Sequence, residues 1–194
     1  YDEVFRFSAS HTLEYSYSAW AVAQWAKQRG DEANYAKLMD LSKGWERLYD
    51  PASNFISPKQ ADGTFIPNFN PMEVWRGFQE GNAWQYTFYV PHDPQGLIDK
   101  VGVDVFNTRL DSIFTVSREL IFSGGQQVDA FAGLQTLYNR GNQPCLHISW
   151  LFNEAGSPSL TQHWVRAILN GFYGTDGIHG YGYGQDEDQG QLGA

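Results

Sequence analysis

The first fifty residues constrain the fold more than any other stretch. Leu13, Tyr17, Trp20, Ala21 and Gln24 recur at helical spacing, with Ser8 or Ser10 ahead of them as a cap and Gly30 closing the run near Arg29. Asp31 caps a second run at once, carrying Tyr35, Leu38, Met39, Leu41 and Trp45 and stopping near Asp50-Pro51. Two helices joined by so short a turn must fold back on each other as an antiparallel αα-hairpin. Trp20, Trp25 and Trp45 are expected in its core.

From Pro51 to Pro71 the periodicity vanishes. Pro51, Pro58, Asp62-Gly63, Pro67 and Pro71 interrupt it, and Phe55, Ile56, Phe65 and Ile66 predict a short hairpin across the helix ends. Helical stretches resume at Ala83–Tyr89, Asp93–Val101, Asp104–Thr115, Cys145–Phe152 and Ser157–Tyr173, the last with Leu160, Trp164, Ile168 and Leu169 on one face. Ser123-Gly124-Gly125 opens a loop-rich section through Gln143, and the stretch from Gly174 to Gly184 is glycine-rich. No alternation of strand and helix appears, which disfavours a doubly wound sheet, and no short repeat marks a solenoid. The expectation is an all-α fold of antiparallel helix pairs with a short irregular hairpin insertion. At 194 residues it is one domain or a large piece of one.

Composition removes several functions. A net charge of −9 with no Lys/Arg cluster argues against a nucleic-acid backbone as partner. Cys145 stands alone, so neither an intrachain disulfide nor a thiolate metal cluster can form. No apolar run approaches the ~18 residues of a membrane span. Aromatic residues nonetheless reach 16%, nearly matching the 18% that are charged. Those rings must be buried or must bind something.

Phe78 to Asp93 concentrates the chemistry. Gly81 and Asn82 loosen the backbone ahead of a helix that Pro91 must end, which puts Glu80 on a loop or at a helix N-terminus. Beside Trp84, Tyr86 and Phe88 its carboxyl is expected to lose hydration and so to hold its proton, as a general acid needs. The simpler reading is a helix-start charge that complements the dipole. Far along the chain, Asp186, Glu187 and Asp188 form the densest acidic cluster, followed by Gln189 and Gln191. Such a run is commonly a solvated turn. Here its oxygens also suit calcium, or one carboxylate can hold a water as general base. A protonated Glu facing an ionised Asp across a sugar is the two-carboxylate arrangement of glycoside hydrolysis. His92 and His147 have no partner His at helical spacing, so they read as hydrogen-bonding residues rather than zinc ligands. No Gly-x-Ser-x-Gly elbow is present.

Taken in order, Ser10-His-Thr-Leu-Glu-Tyr-Ser-Tyr, Asp50-Pro-x-x-Asn-Phe, Glu80-Gly-Asn-Ala-Trp-Gln-Tyr, Val90-Pro-His-Asp-Pro-Gln-Gly, Gly141-Asn-Gln-Pro-Cys-Leu-His and Gly182-Tyr-Gly-Gln-Asp-Glu-Asp-Gln-Gly-Gln resemble glycoside hydrolase family 92, the calcium-dependent α-mannosidases. The resemblance covers nearly the whole chain. It implies an (α/α)6 barrel joined to an N-terminal β-sandwich, with the site between them. It also implies exo-acting, inverting release of mannose from mannose-rich glycans (N-glycan or mannan), with calcium against the sugar hydroxyls, outside the cell or in the periplasm. Carried over by position, Glu80 is the general acid and Asp188 the general base, with Asp186 its close alternative. Trp84, His92, Asp93, Asn142, Gln143 and His147 would contact the sugar, and Asp186, Asp188 and Gln143 the calcium.

On the same resemblance, residues 1–194 amount to roughly half of the helical domain, without the sandwich and the rest of the barrel. Gln191 to Ala194 reads as the start of another helix with nothing to bury against. The uncovered helical edge is expected to meet the remainder of the same enzyme or a second copy, and the isolated chain is expected to be inactive. The rival readings are a non-catalytic glycan-binding domain and a structural helical scaffold. The presence of both Glu80 and Asp186/Asp188 favours the enzyme, since a binder needs the aromatics but not an acid and a base.

Overall fold

The computed structural model describes residues 6–121, 134 and 136–171. The described chain is mostly helical. Helices α1 (Ser8–Gln28) and α2 (Glu32–Ser42) form the expected hairpin and make its most extensive packing. Gly30 takes φ +72° at the turn, and the Asp31 and Gly30 amides donate back to the carbonyls of Ala26 and Lys27. This is a Schellman stop, which favours glycine because a Cβ opposes the left-handed backbone. Asp31 then caps α2 through a 3.1 Å bond from the Asn34 amide.

The buried face of α1 is not the aromatic one. It runs through Ala9, Leu13, Ser16, Ala19, Ala23 and Ala26, while Ala21 and Tyr17 face outward and Trp25 is 62% exposed under the Arg29 guanidinium. Small residues let helix axes approach closely, and the bulky rings are left outside. Trp20 is half-buried. Only Trp45 fulfils the core expectation, and it lies in the 3-10 turn Lys43–Arg47 that follows α2.

The hairpin insertion is also re-paired. Strands β1 (Tyr49–Asp50) and β2 (Phe55–Ile56) are antiparallel, with Tyr49 opposite Ile56 and Asp50 opposite Phe55. Asp50 nucleates the turn by accepting from the Ala52 amide and the Ser53 hydroxyl. Phe65 makes only an isolated bridge to Lys59. Helices α3 (Ala83–Tyr86), α4 (Pro94–Val101) and α5 (Val103–Ile121) follow, with Gly102 at φ +86° between the last two. The predicted Cys145–Phe152 helix is broken into 3-10 turns at Gln143–Cys145 and Ile148–Trp150 and the short α6 (Leu151–Glu154). Helix α7 (Pro158–Gly171) buries Thr161, Trp164 and Ile168, whereas Leu169 faces solvent. Its Trp164 stacks on Phe114 of α5 at 5.2 Å between ring centres. Phe78, Phe88, Phe106, Leu110, Phe114 and Phe152 form one core that carries α3 at its edge.

Candidate functional site

Glu80 stands two residues before α3, on the loop that the sequence predicts. Asn82 sets this geometry. Its side-chain oxygen caps the helix, accepting from the amides of Trp84 (3.0 Å) and Gln85 (3.4 Å), while its nitrogen donates to the carbonyls of Leu134 and Thr136. Asn82 is completely buried, so these bonds are not contested by water. Glu80 itself takes φ +53°, in the left-handed region. Its side chain is exposed. The desolvation expected from the neighbouring aromatics is therefore absent in this chain. Tyr86 and Phe88 turn into the core, and Trp84 turns elsewhere.

The indole of Trp84 meets Phe55 edge-on at 5.0 Å and lies 5.6 Å from the Arg109 guanidinium. It lines a groove with Asp104, Val105, Thr108, Arg109 and Ser112. Two residues along a helix differ by about 200°, so Trp84 and Tyr86 leave α3 on opposite sides. Tyr86 points back at the Glu80 loop. Its hydroxyl donates to the Gln79 carbonyl at 2.7 Å, and its ring stacks on Phe78.

Asn142 does reach Glu80. Its side-chain amide donates to the Glu80 carbonyl at 2.7 Å, and Gln143 follows it, half-buried, at the start of a 3-10 turn. His147 bonds through Nε2 to the Phe88 carbonyl at 2.9 Å, which makes Nε2 the protonated nitrogen, and it meets Tyr89 edge-on. Burial lowers the His147 pKa. His92 and Asp93 are engaged elsewhere. His92 bonds through Nε2 to the Ser42 carbonyl and packs on Tyr17 and Trp20 of the hairpin. The Asp93 carboxylate caps α4, accepting from the Gly96 amide at 3.0 Å. Asp186 and Asp188 lie outside the described residues. Among the described residues, no group of three or more His, Cys, Asp or Glu side chains could hold a metal ion. Cys145 is buried and its thiol is pushed up to about 12, which rules it out as a nucleophile at neutral pH.

The profile of the glycosyl hydrolase family 92 catalytic domain matches residues 1–194. The chain belongs to glycosyl hydrolase family 92. It is similar to a family GH92 alpha-mannosidase of Bacteroides thetaiotaomicron, at 32% identity and TM-score 0.78, over 95% of this chain and 23% of that one. The same enzyme in complex with mannoimidazole aligns at 30% identity and TM-score 0.78, over 95% and 25%. A family GH92 inverting mannosidase of Bacteroides thetaiotaomicron VPI-5482 aligns at 28% identity and TM-score 0.77, over 95% and 26%. A protein of Arthroderma benhamiae described as an uncharacterized secreted glycosidase is 25% identical over 96% of this chain and 24% of its own length. The chain thus spans about a quarter of the length of the relatives it matches.

In this family 92 chain the structure also gathers residues that sequence reasoning passed over as site candidates. Tyr86 is buried, which raises its pKa, and the carboxylates of Glu14 and Glu80 both raise it further. Tyr89 is raised by burial first and then by Glu14. Glu14 of α1 stands one turn beyond Ser10, whose hydroxyl accepts from the Gln79 amide at 2.9 Å. The available signal was this helical spacing of Ser10 and Glu14 within Ser10-His-Thr-Leu-Glu.

Proposed function

We propose that this chain carries the acid half, and outside the described residues the base, of an exo-acting inverting α-mannosidase. The observation that carries the reading is the Glu80 carboxylate. It is exposed on a backbone held in an unusual conformation by buried neighbours, within a chain of this hydrolase family. Rigid presentation of one titratable group is what proton transfer to a leaving oxygen requires. In this reading Glu80 protonates the glycosidic oxygen as the anomeric C–O bond breaks. Asp188, or Asp186 in its place, takes the proton from a water that attacks the opposite face. The products are β-mannose and the shortened glycan, and the carboxyl groups would stand about 6.5–9.5 Å apart to admit that water.

The substrate is a mannose-rich oligosaccharide, a reading supported by relatives described as mannosidases and by the mannoimidazole complex of one of them. Calcium would be held by oxygens of Gln143, Asp186 and Asp188, the hard donors that this cation takes. Of these only Gln143 is described, beside Asn142. When bound, calcium would polarise sugar hydroxyls. Trp84, His92, Asp93 and His147 would support the sugar site through the packing, capping and backbone bonds described above. The helices would form roughly half of an (α/α)6 barrel, completed by the rest of the enzyme together with a β-sandwich. The exposed Tyr15, Val22 and Trp25 on the outer face of α1 support such a covered edge. Secretion is supported by the description of the fungal relative, and none of the helices searched among the described residues is long and apolar enough to cross a membrane.

The test is hydrolysis by the full-length protein of an activated aryl α-mannoside and of an α-mannobiose, with calcium and then with chelator. Glu80→Gln is expected to lose at least about 100-fold more on the mannobiose than on the aryl glycoside, within the range of general-acid catalysis. Equal loss on both substrates, or α-mannose as the first product, would overturn the reading.

A further inference from the structure

The backbone around Glu80 is held by side chains from three separate elements. The Gln79 amide donates to Ser10 Oγ of α1 at 2.9 Å, and the Gln79 carbonyl accepts from the Tyr86 hydroxyl of α3 at 2.7 Å. The Glu80 carbonyl accepts from the Asn142 side chain, 62 positions away in sequence, at 2.7 Å. The φ and ψ angles of Glu80 are the rotations between these two peptide planes. Fixing the Gln79 and Glu80 carbonyls therefore fixes the direction in which the Glu80 side chain leaves the chain. We propose that Tyr86 and Asn142 are positioning residues that aim the Glu80 carboxyl, with Ser10 steadying the preceding Phe78–Gln79 peptide, an inference that rests on Glu80 being the general acid.

The conformation itself argues that the clamp is needed. A residue with a Cβ is disfavoured at φ +53° because the side chain crowds the backbone carbonyls. Without the clamp, Glu80 would relax toward negative φ and swing its carboxyl away. The clamping groups are themselves enclosed by the fold. Ser10, Tyr86 and Asn142 are all buried, and the Tyr86 ring is stacked on Phe78. The far side is equally closed, since a Cβ on Gly81 would stand 2.7 Å from Gln85 Oε1 and 2.9 Å from Tyr86 Cε2. Asn142, expected from sequence to line the sugar subsite, commits one of its two amide hydrogens to the main chain of Glu80. Strain held at one residue by several partly buried bonds is a feature of sites whose geometry matters.

The test uses the full-length protein and the variants Tyr86→Phe, Ser10→Ala and Asn142→Ala, with Glu80→Gln in parallel. Values of kcat and KM are measured on α-mannobiose and on 2,4-dinitrophenyl α-mannoside, whose leaving group needs no proton. Each clamp variant is expected to lower kcat on mannobiose about 10- to 100-fold, the penalty of misplacing a catalytic group by about an ångström. KM on mannobiose should change less than about threefold, and the ratio of activated to unactivated rates should rise at least tenfold. A residue that only stabilises the fold would lower both substrates together. That result, or no change on either, overturns the clamp while leaving Glu80 as the acid if Glu80→Gln keeps its leaving-group dependence. If Glu80→Gln shows no such dependence, the acid assignment fails and the clamp with it. Tyr86→Phe removes a single oxygen, so it decides the matter should Asn142→Ala fail to fold.

Discussion

His92 bonds through Nε2 to the carbonyl of Ser42 at 3.0 Å, tying the segment after α3 to the end of α2. Its Nδ1 is buried with no hydrogen-bond partner, and the ring lies against Tyr17 and Trp20. Protonating that ring would bury a charge, and burial outweighs the Ser42 carbonyl and the Asp93 carboxylate, which favour the charged form. Burial accordingly lowers the pKa of His92, as it does that of His147.

The sign of the pH dependence follows. A histidine whose folded pKa lies below the ordinary 6.5 binds fewer protons folded than unfolded in the window between the two values. Stability is then full above pH 6.5 and falls as the pH drops through that window. The urea midpoint should decrease from pH 7.5 to 5.5, and His92→Gln, which keeps the Nε2 donor, should flatten the decline. A midpoint with the same slope in wild type and variant would show that His92 does not contribute.

Asp93 acts as the cap of α4, its carboxylate lying against Gly96, where a Cβ would stand 2.4 Å from Asp93 Oδ2. Asp93→Ala should cost about 0.5–2 kcal/mol of stability by loss of the cap. Asp93→Ser, which retains a capping oxygen, should recover most of it. Thermal unfolding of the three proteins checks this. If KM for mannobiose rises sharply in the serine variant while stability is retained, Asp93 contacts substrate as well.

Trp164 joins α7 to α5 twice, by stacking on Phe114 and by its Nε1–H donating to Asp111 at 2.7 Å. Trp164→Phe keeps a ring but removes the donor and part of the volume. A hydrogen bond to a charged group contributes about 1.5–3 kcal/mol, and the lost volume adds to that. Denaturant unfolding should report at least that loss. A change under about 0.5 kcal/mol, the size of an ordinary surface substitution, would mean that α7 is held by other contacts.

The outer face of α1 presents Tyr15 (74% exposed) and Trp25, with Val22 between them at helical spacing. Large apolar side chains gathered on one exposed helix face mark an association surface. Residues 1–194 purified alone should therefore associate, and the double substitution Tyr15→Glu with Trp25→Glu should shift them toward monomer. Light scattering across a concentration series measures this. A monodisperse monomer with ordinary mannosidase turnover would show that the chain needs neither the remainder of an enzyme nor a second copy.

What the sequence determined by itself is local or carried by motif. The helix stop at Gly30, the cap at Asp31, the helical stretch from Asp93, the break at Pro51 and the loop placement of Glu80 all depend on residues a few positions apart, so their signals survive in a linear reading. The family was legible for a related reason, since its motifs recur in order along nearly the whole chain. The tertiary structure alone decided which face of α1 is buried. Helical spacing marks a stripe of Tyr17 and Trp20, but close approach to α2 selects the alanine stripe. It alone paired Phe55 with Asp50, because the Asp50 side chain builds a tighter turn than the one leading to Phe65. It alone sent Trp84 toward Arg109 and left Glu80 exposed, although the two are four residues apart. The contact between Asn142 and Glu80 is the extreme case. No local propensity encodes a bond across 62 positions, which forms only when the core between them has packed.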